Sequence, residues 1–193
     1  LDKQFDLDVF TEAACLITNC SSSLVAMMEF DTQRIQSCIG MELDFVPRRS
    51  TICQYTIMGT DVLVIEDTLL DDRSRYNEMM LAANVRFYAG VPLIDENGFA
   101  LGTICVFDFE PKKLCEKQIN SLKKIAKNIT KILISKKKNT YAEYFFETFN
   151  ITKNIICVLD KNLFFKETNP AFEKLFKVSK EEICKQKFTS LFV

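Results

Sequence analysis

Two apolar segments joined by the turn sequence "DENG" are the feature that most constrains the fold. "VRFYAGVPLI" precedes the turn and "FALGTICVFDF" follows it. Asn97-Gly98 tolerates the positive φ angles of a tight hairpin turn, and the flanking segments are rich in β-branched and aromatic residues. The pattern therefore predicts a β-hairpin, whose second strand would place these residues on one face: Phe99, Leu101, Thr103, Cys105 and Phe107.

Arg86, Tyr88 and Gly90 interrupt the first strand of this hairpin. Strand alternation places these three residues on one face and leaves an apolar opposite face, formed by Phe87, Ala89, Val91 and Leu93. A phenol beside a residue without a side chain leaves space above the sheet for a ligand or a helix backbone. Tyr88 is therefore the residue of this strand that we expect to contact a pocket.

The first part of the sequence predicts a helix followed by short strands. The apolar spacing from Leu7 to Ile17 predicts an amphipathic helix that ends near Asn19. Two strands follow it, "SLVAMMEF" and "RIQSCIG", joined by a polar turn at residues 31–33. A short helix through Met58 is expected after a cap at residue 50 or 51. A further short strand is "DVLVIED", and five or six strands between terminal helices predict an antiparallel α+β domain.

Two later segments have helical character. "LLDDRSRYNEMMLAAN" is predicted to be helical, with Asp71 or Asp72 as its cap, and Pro111 is predicted to open a long helix. The long helix carries an apolar row with coiled-coil spacing: Ile119, Leu122, Ala126, Ile129 and Leu133. Ile125 and Ile132 widen the row enough for part of it to pack on a sheet. We expect the row to pair two helices in a homodimer.

The charge is unevenly distributed although the net charge is only −1. Residues 1–110 contain 7 Lys/Arg and 18 Asp/Glu, whereas residues 111–139 contain 10 Lys and one Glu. The lysines alternate with the apolar row and lack interleaved aromatic residues, which favours a solvated helix face over a nucleic-acid site.

The absence of histidine excludes Ser-His and Cys-His nucleophile pairs and histidine metal ligands. Eight cysteines occur without a C-x-x-C spacing, so we expect no metal and no cofactor, and small buried thiols in a reducing cytoplasm. No apolar run reaches 18 residues, so no membrane span is expected. The acidic start without Met predicts a fragment of a longer cytoplasmic protein.

Four successive segments resemble the GAF domain: "PRRSTICQYTI", "VLVIEDTLLDDRSRYNE", "VRFYAGVPL" and "GFALGTICVFDFEPKKL". The resemblance is to bacterial members with an Arg-Phe-Tyr-Ala-Gly strand and covers residues 1–139. It implies a central antiparallel sheet of about six strands, helices on both faces, and a ligand pocket on one face. It also implies dimerisation through the first and last helices.

Residues 140–193, especially "CVLDKNLFFKETNPAFEKLFKVSKEEI", resemble the N-terminal part of a PAS domain. Within them Asn169 is predicted to cap a helix that starts at Pro170, and Ser179 and Glu182 to form a capping box. Together the resemblances imply a bacterial signalling protein, with the rest of the PAS domain and an output domain downstream. A sensor histidine kinase of a two-component system is the favoured parent protein, and a cyclic-di-GMP enzyme is the alternative.

The resemblance therefore implies a sensory module and not an enzyme. This module would bind an unknown small molecule or relay a signal through a dimeric helix. The expected ligand-binding residues, placed by the family pocket, are Cys53, Ile57, Tyr76, Tyr88 and Cys105. Asp67 and Arg73 form a possible polar contact to a ligand, but we expect this pair to fix the loop instead.

Two alternative functions differ in class. The domain can be a structural dimerisation spacer without ligand, or a thiol enzyme similar to the free methionine-R-sulfoxide reductases. Cys53 loosely matches one cysteine of that enzyme group, and Arg48 or Arg49 is the cation that would lower its pKa. The second cysteine pair of the group is missing here. The sequence lacks the chromophore-linking Cys and the His that a bilin site needs. Residues of the cyclic-nucleotide-binding signature occur only singly and in the wrong arrangement.

Overall fold

The computed structural model describes residues 7–192, which divide into two compact units with the boundary between Ile134 and Ser135. The first unit is built around a six-stranded antiparallel sheet, whose strands are β1 Ser22–Met28, β2 Thr32–Ile39, β3 Phe45–Pro47, β4 Leu63–Ile65, β5 Phe87–Ile94 and β6 Ala100–Asp108. The order of the strands in the sheet is β3-β2-β1-β6-β5-β4. The predicted α+β class and antiparallel sheet are confirmed.

The helices that accompany this sheet are α1 Asp8–Thr18, α2 Cys53–Thr56, α3 Glu78–Ala82 and α4 Glu116–Ile151. α1 ends where Asn19 adopts a left-handed conformation with φ 54°, as the sequence predicts. α4 is 36 residues long and continues from the first unit into the second. Among the residues that the structure describes, no helix has the length and apolarity needed to cross a membrane.

The predicted hairpin is β5 and β6, which pair along their whole length. Gly98 has a positive φ of 86°, and the Asp95 carboxylate accepts hydrogen bonds from the backbone N–H groups of Asn97 and Phe99. A register shift follows Leu93, so Phe99 lies outside β6 and is 69% exposed. The prediction that Phe99 shares the face of Cys105 is wrong, because the turn is longer than the Asn-Gly pair.

One face of the sheet packs against α1 and α4. Its core contains the predicted apolar side of β5, formed by Phe87, Ala89, Val91 and Leu93. The row on α4 contributes to the same core, and its buried members are Leu122, Ala126 and Ile129. Leu133 packs at the edge of that core, and Ile119 is half-buried. The buried members cover the chain's own sheet and are not free to pair with a second helix, while dimerisation itself stays a prediction.

Three predicted helix boundaries are wrong. Residues 69–76 form turns, and α3 begins only after Asn77, whose side chain accepts a hydrogen bond from the Met80 N–H. α2 has no side-chain cap, because Ile52 occupies its N-cap position and the Thr51 hydroxyl donates to the Arg48 carbonyl oxygen. Pro111 does not open α4, since the Lys112 N–H bonds to the carbonyl oxygen of Glu66 and holds this segment beside β4.

The second unit contains the end of α4, a two-stranded sheet and short helices. The elements are β7 Cys157–Leu159, β8 Phe165–Thr168, α5 Pro170–Phe176 and α6 Lys180–Ile183. Asn169 caps α5, and Ser179 with Glu182 forms a capping box for α6, so both predicted caps are confirmed. Phe165, Phe172 and Ile183 form its core. The assignment of this unit to a PAS domain stays a prediction.

Candidate functional site

A small cavity lies on the face of the sheet opposite α4. Its volume is about 80 Å³, and its walls come from β1, β2, β3, the loop before β3, α2, α3 and β6. The apolar lining residues are Leu24, Ile35, Met41, Leu43, Val46, Ile52, Met79, Met80, Ala83, Val85 and Phe107. The methionines adapt their shape readily, because the side chain is unbranched and has three rotatable bonds.

Gln33, Thr51 and Cys53 supply the polar lining, and among the described residues around the cavity none is charged. The Gln33 side chain is buried, with 2% of the residue exposed, and its Nε2 donates to Cys53 Sγ at 3.5 Å. Its Oε1 has no hydrogen-bond partner within residues 7–192. Because an unpaired buried acceptor costs about 1–3 kcal/mol, this oxygen is a candidate contact for a ligand that donates a hydrogen bond.

A cluster of buried polar side chains lies directly behind Cys53. Cys53 Sγ is 3.6 Å from Cys105 Sγ, and the Tyr88 hydroxyl donates to Cys53 Sγ at 3.4 Å. The Tyr88 and Thr56 hydroxyls form a 2.6 Å hydrogen bond that joins β5 to α2. All four residues are buried, so the cluster fixes the short helix α2 on the sheet.

The two thiols of this cluster have different acidities. Hydrogen bonding from Cys105 is the main cause that lowers the pKa of Cys53 to about 7, and it outweighs the burial that raises it. Burial raises the pKa of Cys105, and its hydrogen bond to Cys53 raises it further. The donors to Cys53 are neutral groups. Neither Arg48 nor Arg49 is among the groups that lower this pKa, and the Arg48 guanidinium donates to the backbone carbonyl oxygen of Glu29.

The structure brings together three of the five predicted ligand-binding residues. Cys53 lines the cavity, while Tyr88 and Cys105 contact the Cys53 sulfur and do not line the cavity. Ile57 is half-buried at the end of α2 and does not line the cavity. Tyr76 is 78% exposed, away from the lining residues, and the Arg75 guanidinium lies over its ring.

Gln33 is the site residue that the sequence did not indicate. It was predicted to lie in the polar turn at residues 31–33, but it is the second residue of β2 and points into the core. The sequence gives one weak indication that Gln33 faces the core: the side chain two positions later, on the same face of β2, is the apolar Ile35.

Arg86, the residue just before β5, has a structural role and does not face the cavity. Its guanidinium makes two hydrogen bonds to the Asp67 carboxylate, at 2.7 and 3.0 Å, after the end of β4. This contact lowers the pKa of Asp67. Arg73 bonds to Asp71 instead, so the expected Asp67–Arg73 pair does not form. Arg86 therefore ties the loop after β4 to the strand β5.

Comparisons of the sequence with known proteins agree with this architecture. The sequence profile of the GAF domain matches residues 7–133. The cyclic di-GMP phosphodiesterase of Pseudomonas aeruginosa is 33% identical over 125 residues, which cover 62% of this chain and 21% of that protein. The chain thus spans about a fifth of the length of this relative.

Solved structures share the fold at low sequence identity. The GAF domain from an Acinetobacter phosphoenolpyruvate-protein phosphotransferase has a TM-score of 0.59 and 10% identity, covering 72% of this chain and 85% of its own. The PixJ GAF domain of Thermosynechococcus elongatus has a TM-score of 0.57 and 15% identity, covering 74% of this chain and 92% of its own. The type II free methionine-R-sulfoxide reductase of Thermoplasma acidophilum has a TM-score of 0.56 and 11% identity, covering 66% of this chain and 89% of its own.

Proposed function

The chain belongs to the GAF domain family, and from this premise we propose that it is a sensory module of a bacterial signalling protein that binds a small neutral molecule. The observation that carries the proposal is the Gln33 amide oxygen, an unpaired acceptor in the wall of an apolar cavity. The preferred ligand is apolar over most of its surface and has one N–H or O–H donor.

The volume of the cavity limits the size of this ligand. Drug-sized ligands occupy pockets of roughly 300–1,000 Å³, whereas one water needs about 10–15 Å³ of the same kind of volume. A cavity of about 80 Å³ therefore suits a molecule of a few non-hydrogen atoms. Larger molecules require the methionine side chains to move.

The absence of charge among the described lining residues limits the chemistry of the ligand. Burying an unpaired phosphate, carboxylate or ammonium is very unfavourable in such an environment. A nucleotide or a zwitterionic amino acid is therefore a poor fit. This disfavours the alternative of a methionine sulfoxide reductase, whose substrate carries both an ammonium and a carboxylate group.

A physical path leads from the cavity to α4. Phe107 lines the cavity, and the next residue, Asp108, accepts a hydrogen bond from Ser21 and forms an ion pair with Lys112. Lys112 lies just before α4, and Gln118 in the first turn of α4 donates to the carbonyl oxygen of Ile17. Ligand binding would shift the end of β6 and bias α4, with a coupling typically of ~1–3 kcal/mol.

The proposed homodimer needs a surface other than the buried row on α4. α1 offers one, because Val9 and Leu16 are 59% and 82% exposed. The output domain is proposed to be a histidine kinase or a cyclic-di-GMP enzyme, and the phosphodiesterase from Pseudomonas aeruginosa supports the second. The spacer alternative needs the cavity to remain empty whatever ligand is offered.

The test compares pyrrole with furan, two five-membered rings that differ in one N–H donor. A five-atom ligand binds no tighter than about micromolar, given a ceiling of about −1.5 kcal/mol per atom. We expect calorimetry to show pyrrole binding about 2- to 13-fold tighter than furan, as one hydrogen bond contributes about 0.5–1.5 kcal/mol.

Gln33→Met is the variant that removes the acceptor, and Gln36→Met is its control, since Gln36 is exposed on the same strand. The preference for pyrrole should disappear in Gln33→Met and persist in Gln36→Met. Equal binding of the two rings to the wild-type chain would contradict the role of Gln33. Binding of neither ring would favour the spacer.

A further inference from the structure

Two buried thiols from distant parts of the chain lie in contact at the wall of the cavity. Cys53 in α2 and Cys105 in β6 are 52 residues apart in sequence, and their sulfurs are 3.6 Å apart. Both are free thiols and both are buried, with 2% and 0% of the residue exposed. A disulfide requires a separation of about 2.05 Å, so a movement of about 1.5 Å would join them.

The surroundings of the pair favour ionisation of one sulfur over the other. Cys53 Sγ accepts hydrogen bonds from the Tyr88 hydroxyl and the Gln33 amide, which stabilise a negative charge on it. The pKa of Cys53 is lowered and that of Cys105 is raised. Because the thiolate is the nucleophile of thiol chemistry, Cys53 is the sulfur that reacts first and Cys105 the one that follows.

A small neutral oxidant can reach Cys53 through the cavity that it lines. The outer lining residues are partly exposed, which places the rim of the cavity near the surface, and they include Met41, Leu43, Met79 and Ala83. Hydrogen peroxide has two oxygen atoms, and a cavity of about 80 Å³ accommodates it because one water needs about 10–15 Å³.

We propose that Cys53 and Cys105 are a redox-sensitive pair that hydroperoxide oxidises to a reversible disulfide. The Cys53 thiolate attacks a peroxide oxygen, an S–O bond forms, the O–O bond breaks, and hydroxide leaves and takes up a proton. The Cys105 sulfur then attacks the sulfenic sulfur of Cys53, forming the S–S bond, and the second oxygen leaves as water with the Cys105 proton. Two thiols and one hydrogen peroxide thus give one disulfide and two waters, and a dithiol reverses the reaction.

The disulfide would change the wall of the ligand cavity. Formation of the bond draws α2 toward the centre of the sheet and converts the Cys53 sulfur, which Tyr88 and Gln33 contact, from a thiol to a disulfide. Oxidation and ligand binding therefore act on the same wall by different chemistry. Disulfides in a reducing compartment are usually transient, as a sensing role requires.

The experiment uses the full chain and treats it with near-stoichiometric hydrogen peroxide. Catalase then removes the peroxide, N-ethylmaleimide blocks free thiols under denaturing conditions, and mass spectrometry of a tryptic digest identifies linked peptides. We expect two fewer alkylated thiols per chain, a Cys53–Cys105 linked peptide, and loss of this peptide after treatment with dithiothreitol.

Variants resolve the order of the two steps. Cys105→Ala should leave Cys53 as a sulfenic acid that dimedone traps when it is added with denaturant, whereas Cys53→Ala should leave Cys105 reduced. Cys115→Ala is the matched control, because Cys115 is exposed and outside the cluster, and the linked peptide should form as in the wild type.

The wild-type digest decides the proposal even if a variant fails to fold. Oxidation of Cys115 while Cys53 and Cys105 stay reduced would overturn it. A Cys53 that proceeds to sulfinic acid without linking to Cys105 would overturn it as well.

Discussion

Replacement of Gly90 by alanine tests the packing on which the cavity wall depends. An added Cβ at Gly90 would overlap the Tyr88 hydroxyl, and would lie 2.7 Å from Tyr88 Cζ and 2.9 Å from Thr56 Oγ1. The Tyr88 ring must therefore move, at an overpacking cost of about 1–3 kcal/mol. Breaking the Tyr88–Thr56 hydrogen bond adds about 0.5–1.5 kcal/mol.

The loss exceeds the gain from the lower backbone entropy of alanine, which is about 0.5–1 kcal/mol. We therefore expect Gly90→Ala to reduce the free energy of unfolding by about 1–4 kcal/mol, measured by urea denaturation with circular dichroism. Gly59→Ala is the control, since its Cβ would meet only the Thr56 carbonyl oxygen at 3.8 Å, and it should stabilise the chain by about 0.4–1 kcal/mol instead of destabilising it.

A second variant separates the clash from other effects of the substitution. Tyr88→Leu removes the ring atoms that the new methyl group overlaps, so the cost of Gly90→Ala should fall by more than half in that background. A Gly90→Ala chain that unfolds at the wild-type urea concentration would refute the reasoning. It would mean that Tyr88 does not lie over Gly90.

Four other perturbations have defined outcomes. Asp67→Asn should destabilise the chain above about pH 5, because Arg86 lowers the pKa of Asp67 in the folded state. Below about pH 4 the difference in unfolding free energy from the wild type should shrink, and urea denaturation at several pH values measures this difference. Ile129→Ala should cost about 2–5 kcal/mol by urea denaturation, since Ile129 is fully buried against the sheet. Leu16→Glu should weaken a homodimer formed through α1, and analytical ultracentrifugation would show an unchanged dimer if another surface is used. Incubation with methionine sulfoxide should leave the cysteines reduced by mass spectrometry, because the described lining residues include no charged partner for this zwitterion.

The strands with strong periodic patterns were predictable from the sequence. The hairpin of β5 and β6 has an Asn-Gly turn between apolar runs, and the apolar face of β5 is buried as alternation predicts. Helix starts were less predictable, because they depend on tertiary contacts. The Lys112 backbone bonds to Glu66, and the Asn77 side chain caps α3, and neither partner is visible from local propensity.

The candidate site was only partly predictable for the same reason. Tyr88 follows from strand alternation, whereas Cys53 and Cys105 were placed only by the pocket that the family resemblance implies. Gln33 follows from neither, because a glutamine beside a predicted turn normally indicates an exposed residue. The row on α4 was identified correctly as apolar, but its spacing fits a coiled coil and a sheet surface equally well, and only the structure shows which one it covers.

The most direct test of ligand binding in the cavity is ¹³C NMR of the methionine methyl groups during titration with pyrrole. The six methionines include Met41, Met79 and Met80 in the lining, and Met58, which is 81% exposed, as an internal control. We expect saturable shifts of the three lining methyl groups and no shift of the Met58 methyl. Lining methyl groups that stay unchanged at saturating pyrrole, or that shift no more than Met58, would contradict the assignment of the cavity as the sensory site.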